Sequence, residues 1–279
     1  MPGTLYVVAT PIGNLEDITL RALRILREAD IIAAEDTRRT ARLLQHYSIA
    51  TPTTSLHAHN ETRRSAGLLE RLRRGANVAL VSDAGTPLVS DPGRRFVRAV
   101  IAAGVRVVPI PGASAITTVL AAVDLPNDEF VFLGFPPSRS IARKKWLKDL
   151  VASCPRSVVL FEAPHRIRQF LGDALLELGD RPIIVGRELT KIHEELVVQP
   201  ISALLDYFVE PIGEFTLVIP PTKPERGDLH PPTASELKQK VGDLTSVSVG
   251  SKRRAVASVA KQYGLSTNAL YRILEAEDE

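Results

Sequence analysis

The chain has 279 residues, 44% of them hydrophobic and 24% charged, with a formal net charge of +3. This is a soluble globular composition with room for two domains and a small appendage. No apolar run approaches the ~20 residues of a membrane helix and the N-terminus shows no signal-peptide pattern, so neither is expected, and Cys154 as the one cysteine excludes an intramolecular disulfide framework or multi-cysteine zinc site. The expected compartment is the cytoplasm, and a pI near 9.1 permits a polyanionic partner.

Residues 1–124 alternate strand and helix, which predicts a parallel or mostly parallel α/β domain. Strand 5–9 runs into the small-residue loop Thr10-Pro11-Ile12-Gly13-Asn14, and Asp17 is expected to cap a helix over 17–28. A short strand over 31–34 ends at Glu35-Asp36, and a helix through Leu43 and Leu44 follows. Asn60 is expected to cap the next helix, with Leu68, Leu69 and Leu72 on one face and Gly75 as its stop. The unbroken apolar run Val78–Val81 reads as a strand covered on both faces. It leads into Ser82-Asp83-Ala84-Gly85-Thr86-Pro87, and Asp91-Pro92 reads as N-cap and first helical residue of a helix over 91–103. Strand 105–109 then opens into a third loop, Pro111-Gly112-Ala113-Ser114-Ala115, and a helix over 114–123.

Residues 125–129 read as a hinge, and 128–220 as a second α/β domain. Its expected pieces are strand 130–133, a basic helix capped by Ser140 and carrying Arg143, Lys144, Lys145 and Lys148, and strand 157–161. A helix through Ile167, Phe170 and Leu171 follows, then strand 182–186 and the segments 195–199, 201–208 and 214–219. The stretch 220–232 holds five prolines in thirteen residues, so 221–232 is assigned as a linker. Residues 233–279 read as a helical module with a helix-turn-helix-like outline and a basic entry, Lys252 to Arg254.

Three loops of Gly, Pro, Ala, Ser and Thr at the carboxyl ends of strands form the outline of a ligand site, because small residues let a ligand approach the backbone. None has the spacing of a phosphate loop, and no G-x-S-x-G hydrolase elbow is present. Charged groups end other strands. Glu35 and Asp36 read either as an acid–base pair or as a helix cap with neighbouring ion pairs. Glu162, His165 and Arg166 cluster after one strand, and Arg187, Glu188 and Lys191 after another. His57 and His59 lack a third ligand at metal spacing, so no metal is expected.

The segments Gly3–Thr19, Ala34–Arg38, Ser82–Leu88, Asp91–Gly93, Pro109–Ala115, Phe161–Arg166 and Arg187–Lys191, in that order, resemble a ribosomal RNA methyltransferase group within the tetrapyrrole methylase superfamily. The resemblance covers residues 3 to 219. It implies two α/β domains with S-adenosylmethionine in the cleft between them, and a homodimer. It also implies, as acceptor, the 2′-hydroxyl of a cytidine ribose in the decoding centre of 16S ribosomal RNA in the small subunit. By resemblance, the cofactor contacts are Pro11, Ile12, Gly13, Asp83, Ala84, Gly85, Thr86, Pro87, Ser114 and Ala115, joined from the second domain by Phe161, Leu189 and Phe215. The pool for catalysis is Glu162, His165, Arg187, Glu188 and Lys191, with none singled out. Two other readings stand beside it: a tetrapyrrole C-methyltransferase, and a non-catalytic nucleic-acid-binding regulator that uses the tail.

Overall fold

The computed structural model of the chain describes residues 1–125, 129–221, 237–239, 241, 256, 259–260 and 266–275. Its first five strands are β1 (Thr4–Val8), β2 (Ile31–Ala34), β3 (Thr53–Ser55), β4 (Val78–Val81) and β5 (Arg106–Ile110). They form one sheet in the order β3-β2-β4-β1-β5, with every pairing parallel. All four residues of β2 and all four of β4 are buried, as strands covered on both faces must be. On one face α1 (Leu20–Glu28) and α2 (Thr37–His46) contribute Ala22, Ile25, Leu26 and Leu44 to a core with Val8 and Ile32. On the other, α3 (Glu61–Arg73) and α4 (Arg94–Ala102) supply Leu68, Leu72, Phe96 and Val100 against Leu5 and Leu80. Full burial of each Leu, Ile, Val or Phe among them contributes roughly 1.5–3 kcal/mol.

Several helix starts differ from the local expectation. Asp17 ends a short 3-10 turn, Leu15–Asp17, and α1 is capped by Thr19, whose hydroxyl accepts from Ala22 N. Asp36 does cap α2, accepting from Arg38 N. Asn60 stands at the cap position of α3, but its Oδ1 accepts from His57 N and leaves the helix without a side-chain cap. Asp91 and Pro92 precede α4 without capping it. Gly93 holds the cap position, and the N–H groups of Arg95 and Phe96 donate to Glu61 Oε1 at 2.7 and 3.1 Å. A carboxylate from α3 therefore does what a local residue was expected to do. Glu61→Ala should cost about 1–3 kcal/mol, because the buried N–H of Phe96 and the partly buried N–H of Arg95 lose their charged acceptor. The check is a lower urea midpoint at unchanged m-value; an unchanged midpoint would remove Glu61 as the cap. The strand β3 was not expected, for Thr53-Thr54-Ser55 carries no apolar signal and is defined by pairing with β2.

The second sheet is mixed, in the order β6-β7-β10-β8-β9. Its strands are β6 (Phe130–Phe132), β7 (Ser157–Glu162), β8 (Pro182–Arg187), β9 (Glu195–Pro200) and β10 (Phe215–Ile219). The pair β6–β7 is parallel, and β10 runs antiparallel to both β7 and β8. Against it pack α6 (Ser140–Trp146), a π-helical turn Leu147–Val151, α7 (Pro164–Leu178) and α8 (Ile201–Tyr207). Ser140 does not cap α6, whose cap position is Arg139; its hydroxyl donates instead to Asp173. Of the basic residues expected on this helix, Arg143 is withdrawn from the surface, being 1% exposed and bound to Asp173.

Helix α5 (Ala115–Ala121) joins the halves. Its Val119 packs with Val159, Ile184, Leu189 and Val218 of the second half, and Ile12 and Ala115 border the same cluster. Met1–Thr222 forms one compact unit containing both sheets, and Lys223–Glu279 forms another. In the latter, Leu237, Val241, Val256, Val259, Ala260, Leu270 and Leu274 share a small core, and the chain's last described helix is Thr267–Glu275. The proposed linker beyond Pro221, hinge residues 126–128 and the basic entry 252–254 lie outside the described residues.

Candidate active site

The three small-residue loops follow β4, β1 and β5, which are neighbours in the sheet, so the loops meet at one edge. They are also bonded to one another. Thr10 N donates to Gly85 O at 2.9 Å, Gly85 N returns a bond to Thr10 O at 3.0 Å, and Thr86 Oγ1 donates to Ala113 O at 3.4 Å. Gly85 has φ +75°, and a Cβ there would meet Ile12 Cγ2 at 3.2 Å. Leu88 and Ser90 are also left-handed, at φ 74° and 72°. Such non-glycine residues cost of order 1–3 kcal/mol each and cluster at functional sites.

The second sheet supplies the facing wall. Antiparallel pairing sets Phe215, the start of β10, beside Glu162 at the end of β7 and Arg187 at the end of β8. Phe161 and Phe135 add aromatic surface, their ring centroids 5.7 Å apart. Between the walls lies a cavity of about 380 Å³, within the usual range for small-molecule sites.

Of the residues expected to hold a cofactor, Ile12, Ala84, Gly85, Thr86, Ser114, Ala115, Phe161 and Phe215 line this cavity. Pro11, Gly13 and Asp83 line an adjoining cleft of about 420 Å³, which shares Ile12, Ala84 and Glu214 with it. Pro87 lines neither, and Leu189 is buried in the core cluster around α5. The catalytic pool is dispersed. His165 faces a separate pocket with Arg168 and Glu210. Arg187 is paired with Glu195 at 2.8 Å, and Tyr207 donates to the same carboxylate. The Glu162 side chain is fully covered, with Oε1 accepting from Ala163 N at 2.8 Å and Arg166 Nε 3.2 Å away, so Glu162 meets the cavity through its backbone. Burial raises its pKa, against the Ala163 N–H and the charges of Arg166, Arg143 and His165.

Lys191 lines the cleft, and Glu188, which lines a neighbouring opening with Gly13 and Thr190, is its partner. Lys191 Nζ lies 2.8 Å from Glu188 Oε1 and 3.0 Å from Glu214 Oε2. Burial pushes the Glu188 carboxyl up, but the Lys191 hydrogen bond, the Glu214 N–H and two cationic neighbours outweigh it and hold the pKa low. Burial pushes Lys191 down, and its bonds to Glu188 and Glu214 raise it overall. Each keeps the other charged, so neither is a free base. Gly13 permits this arrangement, since a Cβ there would meet Lys191 Cγ at 2.3 Å.

Asp91, read from sequence as a helix cap, lines the cavity instead. Burial, then the Glu35 charge, push its carboxyl up to about 6, with Asp83 adding to the rise and a Ser82 hydrogen bond opposing it. Glu35 is raised too, by burial and by Asp83, while its neighbour Asp36 is held down at about 2 by the Arg38 side chain and N–H. Phe135 and Glu214 also line the cavity and were not anticipated; position relative to β7 and β10, which sequence does not give, brings them there.

A raised carboxyl favours the protonated folded state. The stability Asp91 contributes is complete below about pH 4, near the unfolded value, and is lost as pH rises through about 6. Asp91→Asn should therefore melt above the parent at pH 7.5, with the difference closing below about pH 4. A lower melting point for the variant at pH 7.5 would contradict this.

Two features decide what the cavity can hold. Its charged side chains are Asp91 and Glu214, since Glu162 meets it through its backbone, and no Lys, Arg or His is among the described residues that line it. The rest is aromatic and small-residue surface. This fits an adenosyl group carrying a cationic sulfonium and does not fit a phosphorylated cofactor. The charged residues of the adjoining cleft are Arg39, Arg42 and Lys191 on the one hand and Asp83 and Glu214 on the other. His57 and His59 follow β3 with ring centroids 6.0 Å apart, and no group of metal-binding side chains occurs among the described residues.

The tetrapyrrole (corrin/porphyrin) methylase family matches residues 4–205. Proteins named ribosomal RNA small subunit methyltransferase I are similar along nearly the whole chain. That of Haemophilus influenzae is 42% identical over 279 residues, 98% of this chain and 96% of the relative. That of Synechocystis sp. is 43% identical over 281 residues, 99% of each. Among solved structures, uroporphyrin-III C-methyl transferase from Thermus thermophilus complexed with S-adenyl homocysteine superposes with a TM-score of 0.56 at 19% identity, covering 77% of this chain and 97% of that one. The family match over residues 4–205 and the 42–43% identity along nearly the whole chain agree, and the chain belongs to the tetrapyrrole methylase family, in its ribosomal RNA small subunit methyltransferase I branch.

Proposed function

We propose that this protein is an S-adenosylmethionine-dependent methyltransferase that modifies 16S ribosomal RNA, at the 2′-oxygen of a cytidine ribose in the decoding centre. The observation that carries the reading is the division of charge between two adjoining spaces. The charged side chains of the cavity, Asp91 and Glu214, are acidic and stand among aromatic rings, whereas the cleft beside it sets the three cations Arg39, Arg42 and Lys191 against Asp83 and the shared Glu214. A sulfonium suits the first and a polyanion the second. The 42–43% identity to ribosomal RNA methyltransferases over nearly full length supports the choice of RNA.

Bound in the cavity, S-adenosylmethionine supplies an electrophilic methyl group. The protein's part is positional. The bonded loops at Thr10, Gly85 and Thr86 fix one wall, and Phe135, Phe161 and Phe215 give the other an apolar, aromatic lining. Holding acceptor and donor in line supplies most of the acceleration available to such a transfer. A ribose hydroxyl also benefits from a proton acceptor, and an Asp91 carboxyl near 6 is matched to that task at neutral pH. Glu188 and Lys191 brace the cleft mouth through Glu214, and Glu162 braces the start of α7.

The active form is a homodimer in the cytoplasm. The apolar side chains of Leu196 and Val198 on edge strand β9, with Val209 and Ile212 nearby in sequence, are exposed and suit cover by a second copy. Sedimentation equilibrium should give twice the 30.4 kDa chain mass, and a value of 30.4 kDa at micromolar protein would contradict it.

The shared fold with uroporphyrin-III C-methyl transferase favours tetrapyrrole methylation as the second reading. The two separate on labelled S-adenosylmethionine offered with purified small ribosomal subunits, naked 16S RNA and uroporphyrinogen III. Label in RNA alone is expected. Label in the tetrapyrrole alone overturns the reading, and label in neither, with the cofactor bound, leaves the non-catalytic RNA binder.

A further inference from the structure

We propose that the cleft between the first loop, α2 and Lys191 is a phosphate subsite for the RNA strand, with the guanidinium groups of Arg42 and Arg39 as its donors; this rests on the ribosomal RNA reading above. The cleft shares Ile12, Ala84 and Glu214 with the cofactor cavity, so a group bound in one adjoins the other. Arg39 and Arg42 are three apart on α2 and line the same opening, as that helical spacing allows.

The cations of α2 are not equivalent. Arg38 is committed to Asp36 through Nε at 3.2 Å and a second nitrogen at 2.9 Å, and it lines neither space. Arg39 lies 3.5 Å from Asp83 Oδ2 and its side chain is 63% exposed. Asp83 has a second partner, the Asp36 N–H at 2.9 Å on Oδ1, so Arg39 can turn to a phosphate without leaving that carboxylate unpaired. Among the described residues, none pairs with Arg42. On the far wall, the Glu214 carboxylate is held by Lys191 Nζ at 3.0 Å, so its charge is already countered. The cleft thus offers one uncommitted guanidinium and one loosely held one. A guanidinium matches a phosphate's paired oxygens better than any other side chain. The cavity next door offers a phosphate no cationic side chain and presents the Asp91 carboxyl, so the phosphate is favoured in the cleft, which limits where along the strand the ribose can enter.

The test is steady-state methyl transfer to purified small ribosomal subunits by the full chain. It compares the parent with Arg42→Glu, Arg39→Glu and the control Arg24→Glu, which lies on α1 paired to Glu28 and lines neither space. Arg42→Glu should raise the KM for subunits about tenfold or more with kcat within about twofold, as expected when a positioning phosphate contact is lost. Its S-adenosylmethionine affinity by calorimetry should be unchanged, and Arg24→Glu should leave KM within about twofold. Arg42→Ala should flatten the salt dependence by roughly 0.7–0.9 in log–log slope. An unchanged KM and salt slope for the Arg42 variants, with the parent active on subunits, overturns the subsite alone. So does an equal effect of Arg24→Glu, which would mean a diffuse field, or loss of cofactor affinity in Arg42→Glu. A parent that transfers no methyl group to RNA overturns the RNA reading and the subsite with it.

Discussion

Gly85→Val abolishes S-adenosylmethionine binding. Gly85 lies at φ +75° and exchanges two backbone hydrogen bonds with Thr10, so its conformation is fixed by the partner loop. A left-handed residue with a side chain costs roughly 1–2 kcal/mol, and a β-branched one more. The new Cβ would meet Ile12 Cγ2 at 3.2 Å, and its methyl groups would intrude on the cavity that both residues line. A companion variant separates occlusion from strain. Ala115 begins α5 and lines the same cavity without an unusual φ, so Ala115→Trp adds bulk alone to a space of about 380 Å³. Both should lose at least ~100-fold in affinity, about 2.7 kcal/mol. Circular dichroism checks the fold and calorimetry reads the loss. Unchanged titrations from both folded variants would place the cofactor elsewhere.

Asp173→Ala is the substitution expected to destabilise the unit of residues 1–222 most. Arg143 is buried, with Nε and a second nitrogen 2.8 and 2.6 Å from Asp173 Oδ2. Ser140 donates to the same carboxylate, and Lys144 Nζ lies 3.6 Å from it. Removing the carboxylate leaves a covered guanidinium whose remaining partners are the carbonyls of Pro137 and Ser138. Breaking such a buried pair costs about 3–5 kcal/mol, or on the order of 10 °C in Tm for a unit of this size. Replacing both partners, Arg143→Met with Asp173→Leu, should recover much of the loss, because the penalty comes from the unpaired charge. A Tm shift of less than about 2 °C for Asp173→Ala would show that the pair is solvated.

The same pair marks where the sequence stops being informative. Arg143 sits among Lys144, Lys145 and Lys148, and by local pattern it belongs to a basic surface; its burial depends on Asp173, thirty residues away on α7. The start of α4 fails similarly. Asp91-Pro92 has the composition of a cap, yet the acceptor is Glu61 of α3, and Asp91 faces the cavity. Where an element depends on its own residues, the reading works. The apolar runs at Val78–Val81 and Ile31–Ala34 are buried strands, and Asp36 caps the helix it precedes. The convergence of the first-half loops was legible because each ends a strand in small residues, although the order β4-β1-β5 that makes them neighbours was not. The charged strand ends of the second half gave less. Composition does not distinguish the covered side chain of Glu162 or the Arg187–Glu195 pair from groups that open onto the cavity.

The identity of the acceptor atom tests the account most directly. Small ribosomal subunits are methylated with isotopically labelled S-adenosylmethionine, the 16S RNA is digested to nucleosides, and base and sugar fragments are weighed separately by mass spectrometry. A single labelled nucleoside is expected, a cytidine whose added methyl stays with the ribose. A label that stays with the base fragment, or that is absent from RNA while a tetrapyrrole acceptor is methylated, would contradict it.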